Sequence, residues 1–270
     1  MEITVGVVGA GRMGAPIIGH LVRKGFATLA CDLNPARQSV VTGHGAKWVD
    51  GPAELAQTCG VILVCVGFDA EVRALLEDGG ALAAVPPGCI VAILSTVNPE
   101  TVKLLAQQAI KRGVHVVDST VCRGGEAADR GTLLSFVGGP SEVIERITPV
   151  LRAYSSDVVH TGDAGSAQVA KAANNLILWA CLVANHEALA LAHAYNMDID
   201  VLRRALMMSS AENHALEIWG KQTMAWAEDD MAIVSEMAVQ TGLSLPQAGV
   251  NRELCRTLKP KRYKLELYGR

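Results

Sequence analysis

The segment that decides the fold lies near the start of the chain and reads Val5-Gly6-Val7-Val8-Gly9-Ala10-Gly11-Arg12-Met13-Gly14. An apolar, β-branched run leads directly into a G-x-G-x-x-G pattern, and a helix-spaced apolar pattern leads out of it. In this context Gly9 permits the tight turn, Gly11 lets the backbone approach a pyrophosphate, and Gly14 allows close helix–strand packing. The start of the helix then offers N–H groups and a positive dipole end to phosphates. We therefore predict a dinucleotide-binding turn formed by Gly9, Ala10, Gly11, Arg12, Met13 and Gly14.

A carboxylate in the second strand-like run bears on which dinucleotide binds. Asp32 follows Gly14 by 18 residues, where a carboxylate accepts hydrogen bonds from ribose hydroxyls. The same charge repels the 2′-phosphate of NADP. Arg37 could offset that repulsion, but a solvated position early in the next helix explains it better. We predict NAD as the cofactor, with NADP disfavoured.

Other residues at strand ends are candidates for further cofactor contacts. Val66 and Gly67 follow the third strand-like run, and Thr96 follows the fourth. In open α/β sheets, ligands bind outside the carboxyl ends of the strands. An ordinary strand-end turn or helix cap would explain each of these residues equally well.

Short apolar runs alternate with helical patterns over the first 160 residues, which predicts an α/β fold with a Rossmann-type, doubly wound, mostly parallel sheet at residues 1–162. The predicted strands are 3–8, 27–32, 61–66, 89–94, 114–118, 133–137 and 157–161, and the predicted helices include 13–24, 69–77, 98–111 and 141–153. The later sequence contains only helical patterns, at 166–196, 200–208, 214–226, 230–241 and 245–258. We predict an all-helical domain at 163–270 that begins with a long interdomain helix.

The composition excludes several classes of protein. The net charge of −3 and the isoelectric point near 6.2 give no electrostatic basis for binding nucleic acid or an anionic membrane. No uninterrupted apolar run of about 18 residues predicts a membrane span, and the chain starts in a strand-like run rather than a targeting peptide. The seven cysteines lack both metal-ligand spacing and the density of a disulfide framework. We expect a cytoplasmic protein with reduced thiols and no metal.

The long predicted helix carries the strongest candidate for chemistry. Its residues are mostly apolar, but Gln168, Lys171 and Asn175 share one face at spacings of three and four. Partial burial disfavours a charged ammonium, so Lys171 is suited to general acid/base work near neutral pH. Asn175 could hold the amine or the reacting oxygen. A structural lysine whose partners are backbone carbonyls is the alternative.

A glycine-rich segment after the fifth strand is the candidate substrate loop. It contains Cys122, Arg123 and Gly124. Its backbone N–H groups could hold a substrate carboxylate, and Arg123 could add a fork-shaped partner. An ordinary crossover loop with Arg123 in solvent fits the pattern equally well. No histidine or aspartate is placed to make Cys122 a nucleophile.

Taken together, these segments resemble the β-hydroxyacid dehydrogenase family, over essentially the whole chain. The family patterns are G-x-G-x-M-G, the loop D-A-P-V-S-G-G and G-x-x-x-x-x-K-x-x-N-N; the last is matched by Gly165, Lys171, Asn174 and Asn175. The resemblance implies a Rossmann-type domain, a helical domain, a lysine acid/base, a small-molecule carboxylate substrate and a homodimer or homotetramer. It also implies a substrate contact at Asn174 and a cofactor contact at Thr96.

The chain departs from the family at two places. Cys122 and Arg123 replace the loop's serine and first glycine, and Asp229-Asp230 stands where the family often has Lys-Asp. These changes leave glyoxylate-type, serine-type and aryl-substituted 3-hydroxy acids open as substrates.

The sequence predicts an NAD-dependent oxidoreductase that acts on the CH–OH group of a small 3-hydroxy acid, or reduces the matching semialdehyde or keto acid. The alternatives are an imine reductase-like enzyme and a non-catalytic NAD sensor. Imine reductases typically have Asp or Tyr in place of Lys171, and a sensor would need neither Lys171 nor Asn175.

Overall fold

The structure, a computed structural model, describes residues 3–77 and 79–269. The chain packs as two compact units, one extending to Lys171 and the other beginning at Ala172. The predicted domain boundary lay at residues 162 and 163.

The first unit is built on one eight-stranded sheet. In chain order its strands are β1 (Thr4–Val8), β2 (Ala27–Cys31), β3 (Lys47–Trp48), β4 (Val61–Val64), β5 (Ile90–Ile93), β6 (His115–Cys122), β7 (Leu133–Gly138) and β8 (Ser155–Gly162). Their spatial order is β3-β2-β1-β4-β5-β6-β7-β8. All neighbours pair in parallel except β6 and β7, which are antiparallel. The order reverses between β1 and β4, which forms the crevice where such sheets bind ligands.

Helices cover both faces of this sheet. They are α1 (Gly14–Arg23), α2 (Gln38–Gly43), α3 (Pro52–Thr58), α4 (Asp69–Leu76), α5 (Pro99–Ile110), α6 (Gly124–Arg130) and α7 (Ser141–Leu151). Val5 and Val7 of β1 pack on one face with α1 and α7, while Val8 packs on the other face with α3 and α5. This burial on both faces explains why the strands read as continuous apolar runs.

The regular elements described in the second unit are all helices. A single helix, α8 (Ser166–Ala194), begins in the first unit and continues into the second, and is followed by α9 (Ile199–Leu206), α10 (His214–Glu217), α11 (Ala227–Thr241) and α12 (Pro246–Leu258). Trp179 and Leu182 of α8 pack with Met231 of α11 and Cys255 of α12 to form its core. By length and composition alone α8 could cross a membrane, which the sequence analysis did not expect. This is weak evidence, because the core helix of a soluble protein meets the same criteria.

The predicted fold class is confirmed, and the structure corrects several of its elements. β3, α3 and α6 were not predicted. The helix expected from Pro35 starts with a short 3₁₀ turn at Pro35–Arg37 and continues as α2, and the helix expected at 214–226 is helical only over His214–Glu217. The predicted substrate loop is not a loop for most of its length. β6 extends to Cys122, and α6 begins two residues later at Gly124. The short glycine-rich sequence of α6 lacks the apolar periodicity by which helices are recognised.

Candidate active site

The predicted dinucleotide turn lies between β1 and α1. Gly9 has φ +96°, and a side chain there would collide with the carbonyl of Cys65 at the end of β4. A side chain at Gly14 would collide with the carbonyl of Gly9, whereas the space beside Gly11 is open. Helix α1 starts without a side-chain cap and without an acidic residue in its first turn. The turn therefore fits a pyrophosphate, since it combines a close backbone approach with a helix start that repels no anion.

Asp32 follows β2 and lies against this turn. One carboxylate oxygen accepts a hydrogen bond from Ala10 N at 2.7 Å, and the other accepts one from Asn34 N at 2.8 Å. The side chain is partly exposed. Because each carboxylate oxygen has further lone pairs, Asp32 can hold the turn and still accept ribose hydroxyls.

The ends of β4 and β5 are tied together next to this crevice. Val66 N donates to Ser95 Oγ at 3.0 Å, and the same hydroxyl donates to Val66 O at 2.9 Å. Gly67 N donates to Glu71 Oε2 at 2.6 Å. Thr96 comes next after Ser95 and is partly exposed. Neither Ser95 nor Glu71 was predicted. The partner of Ser95 becomes visible only when β4 and β5 lie side by side, whereas Glu71 bonds residues three and four positions before it, and its place in the first turn of α4 was the available signal.

The first turn of α8 is anchored to β6 by a buried carboxylate that the sequence analysis did not single out. Asp118 is fully buried, and its two oxygens accept hydrogen bonds from Gly165 N at 2.8 Å and Gln168 N at 2.9 Å. It thereby takes the place of an N-cap side chain, from almost 50 residues earlier in the chain. Burial raises the pKa of Asp118 even though these N–H donors favour the carboxylate. An aspartate inside the apolar run of β6 was the available signal.

Gln168 fixes the same helix to the end of β5. Its side-chain oxygen accepts a hydrogen bond from Val97 N at 3.0 Å, and its amide donates to Ser95 O at 2.9 Å. Thr120 Oγ1 adds a third bond, to Ala167 O at 3.0 Å. The start of α8 is therefore held at the carboxyl ends of β5 and β6.

This anchoring brings Lys171 to the end of β6. Its amine donates to Val121 O at 2.7 Å and lies 3.8 Å from Cys122 Sγ. Lys171 is partly buried, and Cys122 is 4% exposed. An amine in such a place can exchange a proton with a molecule bound beyond the strand ends.

Arg123 adopts a left-handed backbone conformation, with φ +81°. Its guanidinium donates to Asp157 Oδ2 at 2.7 Å and to Ser156 Oγ at 2.8 Å, both on β8, and also to Thr132 O. The Arg123 hydrogen bond lowers the pKa of Asp157. These partners differ from the substrate carboxylate expected for Arg123, and that role stays a prediction. Gly124, the next residue, begins α6 with φ +74°.

Asn174 and Asn175 lie in the second unit. Asn174 Nδ2 donates to Asn175 Oδ1 at 2.9 Å, and Asn175 is 3% exposed. On the continuous helix α8, Asn175 comes four residues after Lys171, about one turn.

Sequence comparisons identify both halves of the chain. The family model for the NAD binding domain of 6-phosphogluconate dehydrogenase matches residues 4–162, and that for the NAD-binding region of NADP-dependent 3-hydroxyisobutyrate dehydrogenase matches residues 165–265. An NAD-dependent L-serine dehydrogenase of Pseudomonas aeruginosa is 31% identical over 216 residues, which are 80% of this chain and 72% of that protein. A 3-hydroxyisobutyrate dehydrogenase of the same organism is 32% identical over the same shares.

Solved structures share the fold. A 3-hydroxyisobutyrate dehydrogenase of Mycobacterium tuberculosis, determined with L-serine, has a TM-score of 0.87 at 23% identity, covering 97% of this chain and 95% of that one. An imine reductase from Myxococcus stipitatus has a TM-score of 0.71 at 17% identity, with the same coverage. At these identities the solved structures show only the fold. The sequence matches also show a family of dehydrogenases. From the NAD-binding turn, the anchored lysine and these matches together, the chain is a member of the β-hydroxyacid dehydrogenase family, an oxidoreductase with an NAD-binding domain.

Proposed function

We propose that the chain uses NAD to oxidise the CH–OH group of a small 3-hydroxy acid, or reduces the matching semialdehyde or keto acid, with Lys171 as the general acid/base. The observation that carries this proposal is the Lys171 amine at the end of β6, 2.7 Å from Val121 O and 3.8 Å from Cys122 Sγ. It lies at the edge of the sheet where α/β enzymes bind their ligands. The relatives named as L-serine and 3-hydroxyisobutyrate dehydrogenases support this class of substrate.

In the oxidative direction, bound NAD supplies the hydride acceptor. The neutral Lys171 amine takes the hydroxyl proton as the carbonyl forms, and in the reductive direction the ammonium returns a proton to the carbonyl oxygen. Val121 O orients the amine by accepting one of its hydrogens. Asn175, one helical turn further on, holds either the amine or the reacting oxygen.

Cys122, Arg123, Gly124 and Asn174 are our candidates for binding the substrate carboxylate. The end of β6 supports the first three, because it places them directly after the carbonyl that Lys171 contacts. Because Arg123 Nη1 is paired with Asp157, we assign the carboxylate first to the turn's backbone N–H groups. Cys122→Ala tests the side chain of Cys122 alone, through a rise in KM without a loss of NADH affinity, because alanine keeps the backbone N–H groups of the turn.

Asp32 supports NAD over NADP. A carboxylate fixed by Ala10 N and Asn34 N faces the start of the dinucleotide turn and cannot rotate away from a 2′-phosphate without breaking both bonds. Arg37 is exposed and lies beyond it.

The imine reductase alternative rests on the shared fold, and the imine reductase from Myxococcus stipitatus is structurally less similar to this chain than the 3-hydroxyisobutyrate dehydrogenase is, with TM-scores of 0.71 and 0.87. Lys171 also counts against it. The non-catalytic NAD sensor has no observation in its favour, since the anchored amine has no role in a sensor.

We also infer a cytoplasmic homo-oligomer, either a homodimer or a homotetramer. All seven cysteines are free, as expected in a reducing compartment. On α8 the exposed residues Ile177, Ala184 and Leu191 recur every seven positions and form one apolar stripe. Sedimentation at micromolar concentration should give a multiple of 28.5 kDa, and Ile177→Glu should lower that mass while the exposed Val239→Glu does not. A monomeric wild-type protein would contradict the inference.

The decisive test compares Lys171→Met with the wild type on L-serine, 3-hydroxyisobutyrate and other small 3-hydroxy acids, followed by NADH absorbance. Methionine keeps the length of the side chain but removes the amine, so turnover should fall by roughly 10²- to 10⁴-fold. NADH affinity, measured by fluorescence titration, should change less than about threefold. Lys111→Met, at an exposed lysine after α5, is the matched control. Unchanged turnover in Lys171→Met would reject the role of the lysine, and no turnover of any hydroxy acid by the wild type would reject the proposed function.

A further inference from the structure

Helix α6, which follows the candidate substrate-binding turn, lies against Arg12 of the dinucleotide turn near its start and against helix α1 at its end. Near its start, Gly125 lies directly beneath the guanidinium of Arg12, where any side chain would collide with that group. Just past its end, Gly131 lies against the ring of His20, whose Cε1 would be 2.6 Å from an added Cβ. Glycine at both positions therefore permits a close approach between two elements that are assigned to different ligands.

The Arg12 guanidinium also reaches the last turn of α6, where it forms an ion pair with two parallel hydrogen bonds. Arg12 Nη1 and Nη2 each donate to one oxygen of Asp129, both at 2.7 Å. This hydrogen bond lowers the pKa of Asp129. The two side chains are 59% and 55% exposed, so water and salt screen their attraction. The pair therefore adds little to the stability of the fold, but its fork geometry fixes the orientation of α6.

A second contact at the end of α6 uses His20. Arg23 Nη2 donates to His20 Nδ1 at 2.9 Å, so the ring's hydrogen belongs on Nε2. Nε2 lies 3.0 Å from Ala128 O and 3.2 Å from Asp129 O, and donates to these terminal carbonyls. Residues 128 and 129 are thus held to α1 through the backbone as well as through the Asp129 side chain.

We propose that Arg12, His20 and Asp129 are positioning residues that couple the dinucleotide turn to the substrate-binding turn. The backbone of Arg12 belongs to the turn that receives the cofactor phosphates, and its side chain holds the helix that starts immediately after Cys122 and Arg123. Ordering of the turn by NAD then also orders α6, so that cofactor and substrate bind with positive cooperativity. The part of this inference that concerns substrate binding rests on the proposed function.

The test is hydrogen–deuterium exchange of the segment 124–130 with and without NADH, in the wild type and in Asp129→Asn. NADH should slow exchange of this segment in the wild type, and Asp129→Asn should reduce that NADH-dependent protection about three- to fivefold, the range for an exposed ion pair. NADH affinity should weaken by no more than about twofold, and the KM of the hydroxy acid should rise about three- to fivefold.

The matched control is Glu126→Gln, which removes a different ion pair of the same helix, with Arg130, and should leave both exchange and KM at wild-type values. A second check is the double variant Arg12→Gln/Asp129→Asn, which should lose no more coupling than either single variant. If NADH leaves exchange of the segment unchanged in the wild type, or if Asp129→Asn behaves like Glu126→Gln, the coupling is disproved. The exchange experiment contains no substrate, so failure of the proposed function would leave its result standing.

Discussion

Asp32 holds the dinucleotide turn and is also our candidate for selecting the cofactor. Its oxygens accept two backbone N–H groups that fix the dinucleotide turn, and we propose that its charge also selects the cofactor. The first task needs only acceptor atoms, whereas the second depends on the negative charge. Asparagine removes the charge but keeps an acceptor for only one of the two N–H groups, so the cofactor preference and the stability of the turn must be measured together.

We expect Asp32→Asn to raise the ratio of kcat/KM for NADP to that for NAD by about 10-fold or more, because hydrogen bonds to a charged group and repulsion of a 2′-phosphate are both lost. Parallel kinetics with the two cofactors measure this ratio, and the melting temperature reports on the turn. Asp50→Asn, at an exposed aspartate after β3, is the control. An unchanged ratio would mean that Asp32 does not select the cofactor.

At the scale of elements, helix α8 is the part on which the proposed chemistry depends. If only apolar packing held α8 in place, this 29-residue helix could tilt, and the position of Lys171 would not be fixed. The bonds from Asp118 and Gln168 instead fix its first turn to β6 and β5. The position of the amine is therefore decided at the start of the helix.

Asp118→Asn should lower the free energy of unfolding by about 1–3 kcal/mol, because the amide can satisfy only one of the two N–H groups and turns a donor towards the other. Turnover should fall by about 10-fold or more as the amine shifts, with little change in NADH affinity. Urea unfolding and steady-state kinetics measure the two effects. Asp163→Asn changes an exposed carboxylate just before the same helix and should stay within about 0.5 kcal/mol. If stability falls while turnover holds, Asp118 supports the fold without positioning Lys171.

At the scale of the whole molecule, we expect the free energy of unfolding to depend on pH through a buried histidine of the second unit. His186 Nδ1 donates to Leu182 O at 2.9 Å, and Nε2 accepts a hydrogen bond from Tyr263 N at 3.0 Å. Its ring also packs against Trp219 and Tyr263. Burial lowers the pKa of His186, so the folded protein holds the neutral ring. Protonation would replace an acceptor with a donor facing Tyr263 N.

Because the unfolded chain takes up this proton more readily, the contribution of His186 to stability is complete above about pH 6.5 and is lost as the pH falls below that value. The slope from this one group is at most about 1.4 kcal/mol per pH unit. Unfolding followed by tryptophan fluorescence between pH 8 and pH 5 should show this loss, and His186→Phe should remove the dependence while lowering stability at pH 8. His193→Gln, at an exposed histidine on the same helix, should keep the wild-type profile. A wild-type profile in His186→Phe would place the titration elsewhere.

The amino-acid sequence by itself determined the fold class, the dinucleotide turn and the lysine, because each is encoded by residues close together in the chain. Apolar runs, glycine spacing and helical periodicity are local patterns, and physical chemistry assigns them local structures. Only the tertiary structure decided which distant groups hold those residues: Asp118 at the start of α8, Ser95 against Val66, Arg123 on Asp157, and Arg12 on Asp129. These partners are 29 to 117 residues apart along the chain. A hydrogen bond depends on distance and direction in space, and no local pattern carries that information.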